Sequence, residues 1–284
     1  MQEGKPSATA RRVAMRRAAH QMFDHPLVLV DPIAIPILGA GAAEQIRAER
    51  GIWQTRASRY SRAFMAVRSR FAEDELARAI AGGANQYVIL GAGLDTFAYR
   101  NPYAAGSLRV FEVDFPATQA WKRKRLREGG IAIPDSLTFA PVDFERQSLA
   151  DGLAAAGFDR GRISFFSWLG VTMYLTPEAM DATLSFLASL PAGSGLVFDY
   201  AVPRESLDWV GRIFFDRIAS RVAAAGEPFR LFFDPGTLAK KLTATGFRSL
   251  EDLGSAELNA RYFAGRKDNL RVRGRLGRLM SATV

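Results

Sequence analysis

The order of apolar and polar segments in this chain predicts an α/β fold, a doubly wound, mostly parallel seven-stranded sheet preceded by an N-terminal helical cap. Three observations carry that expectation. From residue 87 onward, short apolar runs alternate with helix-compatible stretches, as strands buried on both faces do when right-handed helical crossovers join them. The first of these runs leads straight into Gly91-Ala92-Gly93, and glycines at a strand exit let backbone approach a ligand. The first 80 residues instead carry helical spacing with two interruptions.

Taken in order, Thr9–Phe23 is rich in Ala and Arg and reads as a helix, after which Asp24, Pro26, Asp31, Pro32 and Pro36 break the chain into turns. Arg56–Ile80 is a second helical tract, with Phe64, Val67, Phe71, Leu76 and Ile80 on one side, ended by Gly82 and Gly83. The expected strands are Tyr87–Leu90, Leu108–Val113, Leu137–Ala140, Ile163–Trp168 and Gly195–Tyr200, with helices such as Phe115–Glu128 and Pro177–Leu190 between them. Phe233–Gly246 holds another helix, and Arg248–Leu253 with Ala260–Phe263 is the expected final strand pair. Residues 1–80 are therefore read as a cap or lid. Residues 81–284 are read as the cofactor-binding core with a basic C-terminal tail.

The 284 residues carry 38 Lys+Arg against 29 Asp+Glu, a formal charge of +9, which alone would suggest a nucleic-acid or anionic partner. Residues 1–20 contribute +4 and residues 261–284 contribute +6, leaving −1 on everything between. The excess belongs to the two ends, so nucleic acid is not the expected partner, and deletion of residues 271–284 is expected to leave activity intact. There is no cysteine, which removes disulfides, thiolate metal sites and cysteine nucleophiles. With only His20 and His25 as histidines, a zinc site is not expected. The uncharged runs Ile163–Pro177 and Ala182–Phe198 are too short to cross a membrane, and the chain opens on no apolar leader. The reading is a soluble, cytoplasmic protein.

Chemistry is expected at the strand ends. Gly91-Ala92-Gly93-Leu94-Asp95-Thr96 suits a nucleoside cofactor, although Thr96 stands where a dinucleotide fold places its third glycine. That disfavours an NAD-dependent oxidoreductase. About 20 residues on, Phe111-Glu112-Val113-Asp114 puts two acids where a ribose diol is held. Asp114, last in the strand, is the better placed. Pro141-Val142-Asp143-Phe144 offers an acceptor for an adenine amino group and a flanking ring, or else a helix cap. Gly193-Ser194-Gly195 precedes a strand and does not form the elbow of a serine hydrolase.

The run from Gln86 through Gly91-Ala92-Gly93-Leu94-Asp95-Thr96 to Arg100, followed by Phe111-Glu112-Val113-Asp114-Phe115-Pro116, resembles the leucine carboxyl methyltransferase-like class I methyltransferases, which have a Rossmann-like fold. Within them the chain is most similar to the bacterial polyketide-type O-methyltransferases, through Arg17-Ala18-Ala19-His20-Gln21, Asp31-Pro32-Ile33-Ala34 and Arg68-Ser69-Arg70-Phe71. The resemblance implies S-adenosylmethionine as cofactor. Arg68 would hold its carboxylate, while Gly91, Ala92, Gly93 and Asp95 would form the turn beneath its methionine part. Asp114 or Glu112 would hold the ribose, and Asp143 with Phe144 the adenine. Ser167 and Trp168 would line the site near Leu169, which stands where many members have Glu. Phe97 likewise stands where many have Arg.

The expected reaction is methyl transfer to a hydroxyl or carboxylate of a small molecule, with a protein C-terminus or a catalytically altered cofactor-binding protein as alternatives. His20 is the candidate base or orienter, against a packing role in the cap helix. Arg17, His20, Tyr174 and Tyr200 are the candidate acceptor-pocket residues.

Overall fold

A computed structural model describes residues 8–143, 147–224, 226 and 228–284. The chain starts with helices α1 (Ala8–Phe23), α2 (Ala42–Ala48), α3 (Arg50–Trp53) and α4 (Arg56–Ala81). The core follows as β1 (Gln86–Leu90), β2 (Arg109–Asp114), α5 (Pro116–Glu128), β3 (Leu137–Pro141), α6 (Leu149–Ala155), β4 (Ser164–Trp168), α7 (Pro177–Ala188) and β5 (Gly195–Ala201). It closes with α8 (Trp209–Ala224), α9 (Pro235–Thr245), β6 (Ser249–Leu253), α10 (Ser255–Tyr262) and β7 (Gly277–Thr283).

The seven strands form one sheet in the order β3-β2-β1-β4-β5-β7-β6. β1 to β5 are parallel, and β7 runs antiparallel to both β5 and β6. The order reverses at β1 and β4, so their C-terminal ends open the crevice where such sheets bind ligands. Every residue of β1, β4 and β5 is buried, which explains why they read as apolar runs rather than alternating ones.

Two cores result. On one face Val88, Leu90, Phe111, Phe166, Phe198 and Met280 pack under α6, α7 and α9. On the other face Tyr87, Ile89, Val110, Phe165 and Val197 meet Ala63, Ala66, Val67, Phe71 and Leu76 of α4. α4 therefore covers the sheet itself. A third cluster joins Ala14, Ala18 and Ala19 of α1 to Ile37, Ile46, Leu94 of the glycine turn and Leu126 of α5, so α1 is pressed onto the site by apolar burial.

The last strand differs from expectation. Ala260–Phe263 is no strand: it lies at the end of α10, where Glu257 reaches back to accept from the Gly254 N–H at 2.9 Å and starts a helix instead. The final strand is Gly277–Thr283, within the expected basic tail, and it pairs with β5 from Gly195↔Thr283 to Ala201↔Gly277. Removing residues 271–284 would strip a strand from between two others, so the expectation of a dispensable tail is overturned. Among the described residues, no helix is long and apolar enough to cross a membrane.

Candidate functional site

β1 ends at Leu90, and Gly91 and Gly93 take φ of +65° and +47°, a region that side-chain-bearing residues avoid. A Cβ on Gly91 would lie 2.4 Å from Val171 Cγ2, and one on Gly93 would lie 3.0 Å from the Ala10 Cβ of α1. The turn is thus walled by the segment after β4 and roofed by α1. The Ala92 N–H donates to the Val113 carbonyl at 3.0 Å. Asp95 Oδ1 accepts from the Phe97 N–H at 2.8 Å, closing the turn on itself.

Asp114, last in β2, accepts from the Gly93 N–H at 2.5 Å through Oδ2 and from the Phe115 N–H at 2.7 Å through Oδ1. Glu112 goes elsewhere. It is fully buried, 2.7 Å from Lys122 Nζ of α5 and 3.4 Å from the Tyr99 hydroxyl. Burial, opposed by Lys122, moves its carboxyl up to about 7. Of the two candidate ribose acids only Asp114 touches the turn, so Glu112 is withdrawn from the cofactor set. Asp143 follows β3 at the same edge and is half-buried, and Phe144 lies outside the described residues.

Arg68 of α4 sits under the segment after β4, its guanidinium nitrogens 3.0 Å from where a Gly170 Cβ would stand. It is 5% exposed and pairs with Asp199 of β5 at 2.7 Å. The other Asp199 oxygen accepts from the Gly170 N–H, and Leu169 is half-buried against the core under α4. Asp199 is the site-edge residue that sequence reasoning missed. The available signal was a carboxylate inside an otherwise apolar strand, which burial tolerates only beside a partner.

Four other candidates are corrected. Ser167 is 1% exposed and accepts from the Tyr87 hydroxyl at 2.8 Å, and Trp168 is packed in the core under α7. Both point away from the crevice because strand-end residues of a doubly covered sheet are themselves core. Tyr200 is 1% exposed and donates to Asp252 of β6 at 2.8 Å. Burial and that carboxylate push its phenol up, so it is neither a pocket wall nor a base. His20 is fully buried: Nδ1 lies 3.0 Å from Asp24 Oδ2, and Nε2 accepts from the Val28 N–H at 3.0 Å. Nδ1 must then carry the proton, and neither nitrogen is left for an acceptor. Tyr174, by contrast, stays half-buried beside Phe229, with ring centres 5.5 Å apart.

Arg17 binds the turn itself. Its guanidinium donates to the Leu94 carbonyl and lies 3.6 Å from both Asp31 and Asp95. Thr96 donates to the same Asp31 at 2.7 Å, which gives a use to the residue standing in the third-glycine position. The cationic groups that remain are Arg12 and Arg16 of α1. Arg12 Nη1 is buried without a partner, and Arg16 donates to the Arg12 carbonyl at 3.1 Å. Burial and then the charges of Arg221, Arg12 and Arg68 hold the Arg16 pKa below the usual arginine range.

The sequence model of the leucine carboxyl methyltransferase family matches residues 10–188. A Bacillus subtilis protein named "Putative S-adenosyl-L-methionine-dependent methyltransferase YktD" is 35% identical, with 95% of each chain covered. A Mycobacterium avium protein of the same description is 32% identical over 85% of this chain and 82% of its own. Among solved structures, a DUF574 family protein from Streptomyces avermitilis superposes with a TM-score of 0.54 at 17% identity, covering 98% of this chain and 97% of its own. That last likeness is one of fold.

Proposed function

The chain belongs to the leucine carboxyl methyltransferase family and is a methyltransferase that uses S-adenosylmethionine; on that premise we propose that it methylates a carboxylate oxygen of a small anionic molecule. The residues present fit the cofactor. Gly91 and Gly93 keep the turn free of side chains where a Cβ would collide, the Asp114 carboxylate fixes that turn from the end of β2, and Arg68 is a buried cation at its edge. Arg68 would hold the methionine carboxylate, Asp114 the ribose and Asp143 the adenine. When bound, the group supplies a methyl on a sulfonium sulfur, open to in-line displacement.

The observation that carries the acceptor reading is the cationic cluster on α1, the helix that roofs that turn through Ala10. Arg12 and Arg16 form no ion pair with a carboxylate among the described residues, and Arg221 adds to their charge. Half-buried guanidinium groups without an anion are costly, and an acceptor carboxylate would relieve that cost while being aligned by it. A carboxylate also needs no base. This suits a site whose one cap-helix histidine is held at both nitrogens, with His25 exposed in the loop beyond. Holding the oxygen opposite the leaving sulfur then supplies most of the catalysis.

The test is methyl-labelled S-adenosylmethionine with a metabolite extract, followed by mass spectrometry and mild base. A methyl gain on a small molecule, released by base as from an ester, is expected. A base-stable ether would overturn the carboxylate reading, and label in the protein fraction would favour a protein C-terminus instead.

A further inference from the structure

The basic C-terminal segment is not a solvated tail, and its charges are sorted by the fold. Arg261 pairs with Glu251, Arg266 with Asp268 and Arg278 with Asp252. Arg271 and Arg273 have no carboxylate partner among the described residues. In Asn269-Leu270-Arg271-Val272-Arg273 the burial alternates: Leu270 and Val272 are 2% and 4% exposed, and the residues between them face outward. From Leu270 onward the alternation is that of an extended backbone, entered from Asn269 at a φ of +57°. The Asn259 side chain fixes it, donating to the Val272 carbonyl and accepting from the Val272 N–H, both at 2.9 Å.

Opposite this segment stand Arg56, Arg59 and Tyr60, on one side of the first turns of α4. Arg59 donates to the Asp268 carbonyl, and Arg273 lies 5.8 Å over the Tyr60 ring. Two of the guanidinium groups are thereby oriented before any ligand arrives. The two walls enclose a cavity of about 470 Å³ lined by Arg56, Arg59, Tyr60, Asn269, Arg271 and Arg273. No carboxylate lines it, and the nearest in sequence, Asp268, is held by both nitrogens of the Arg266 fork at 2.9 and 2.7 Å.

We propose that this cavity is a binding site for a diphosphate group, separate from the methyl-transfer crevice. Four guanidinium forks from two remote segments match the geometry and charge of phosphoryl oxygens, which Arg binds bidentately. The volume exceeds what one tetrahedral anion would fill and lies within the range of small-ligand sites. The segment that lines it leads to the C-terminal edge of the parallel strands. Gly277, where the segment enters β7, pairs with Ala201 at the end of β5 and faces Phe64 of α4. Arg56 stands roughly 18 Å along α4 from Arg68. A diphosphate held here would be independent of S-adenosylmethionine, which carries no phosphate.

Calorimetric titration of the full chain with inorganic pyrophosphate at physiological salt tests the site. One saturable site is expected, weakened roughly tenfold or more when Arg271→Ala and Arg273→Ala are combined, and unchanged by Arg127→Ala at an exposed position of α5. S-adenosylmethionine binding and thermal melting should be the same in all three proteins, since every substituted side chain is exposed. Absence of saturable binding overturns the proposal, as does an equal loss in Arg127→Ala, which would mean a merely basic surface. A parallel titration with ADP separates the sources. Displacement of pyrophosphate by ADP identifies an esterified diphosphate and its absence a free one, and either supports the site.

Discussion

The two ends of α1 carry charge in opposite ways. At its C-terminal end Arg62 forks onto Asp24 at 2.8 and 2.9 Å, its third nitrogen donates to the Trp53 carbonyl, and His20 lies between Asp24 and the Val28 N–H. Arg62 and His20 are fully buried and Asp24 nearly so, and every polar atom of the three side chains has a partner. Toward the N-terminal end, Arg12 has a buried nitrogen without a partner and Arg16 stands among the like charges of Arg221, Arg12 and Arg68. A satisfied buried cluster holds a fold together, whereas an unsatisfied one of single sign is kept for a ligand. Both adjoin α1, so substitutions can set them against each other.

The largest effect is expected at the satisfied end. Asp24→Ala would leave Arg62 and His20 buried without their shared anion, and removing one partner of a buried pair costs about 3–5 kcal/mol. Urea unfolding should show this as a lower midpoint with little change in slope. Burial raises the Asp24 carboxyl, but the Arg62 and His20 hydrogen bonds outweigh it and hold the pKa at about 2. A depressed carboxylate stabilises the fold above its unfolded value near 3.8. That stability is lost as pH falls through about 2, and Asp24→Asn should remove this acid limb. An Asp24→Ala protein as stable as the parent would mean that the cluster is not structural.

Between the extremes stands Glu112, paired with Lys122 yet with Oε1 buried and unpartnered. Its carboxyl is raised to about 7 from 4.5, so the sign reverses. The contribution is fully present below about 4.5 and is lost as pH rises through about 7. We expect stability to fall by on the order of 2 kcal/mol across that window, measured by urea midpoints. Glu112→Gln should flatten the slope, and an unchanged slope would place the titration elsewhere.

These contrasts also show what the sequence can and cannot reveal. β1, β2, β4 and β5 are legible because strands buried on both faces must be apolar along their length. β7 is not. Gly277–Thr283 has only Leu279 and Met280 as large apolar residues, and it owes its burial to β5 and β6 on either side. The glycine turn and Asp114 are legible because backbone geometry at a strand exit leaves few residue choices. Charge pairing across long separations is not: Arg68 and Asp199 lie 131 positions apart. Nor is the Nε2 acceptor role of His20, whose donor is a backbone N–H. Of the groups proposed for acceptor chemistry, those that turn out structural are the ones whose partners are backbone or distant in sequence.

The smallest expected effect is also the sharpest test of the comparison. Arg16→Ala removes a half-buried cation from among like charges, so it should leave the unfolding midpoint unchanged or slightly higher, the opposite of Asp24→Ala. It should also leave S-adenosylmethionine affinity intact, because Arg68 and the glycine turn are untouched. What falls is transfer to the acceptor, by roughly tenfold, as expected when one charge-assisted contact is lost. The loss should lie in KM rather than kcat if Arg16 binds the acceptor carboxylate equally in ground and transition states. Arg16→Lys should restore part of it, since charge survives while the bidentate fork does not. If Arg16→Ala instead unfolds as early as Asp24→Ala, the two ends of α1 are one structural network, and the acceptor's anion must be sought elsewhere in the crevice.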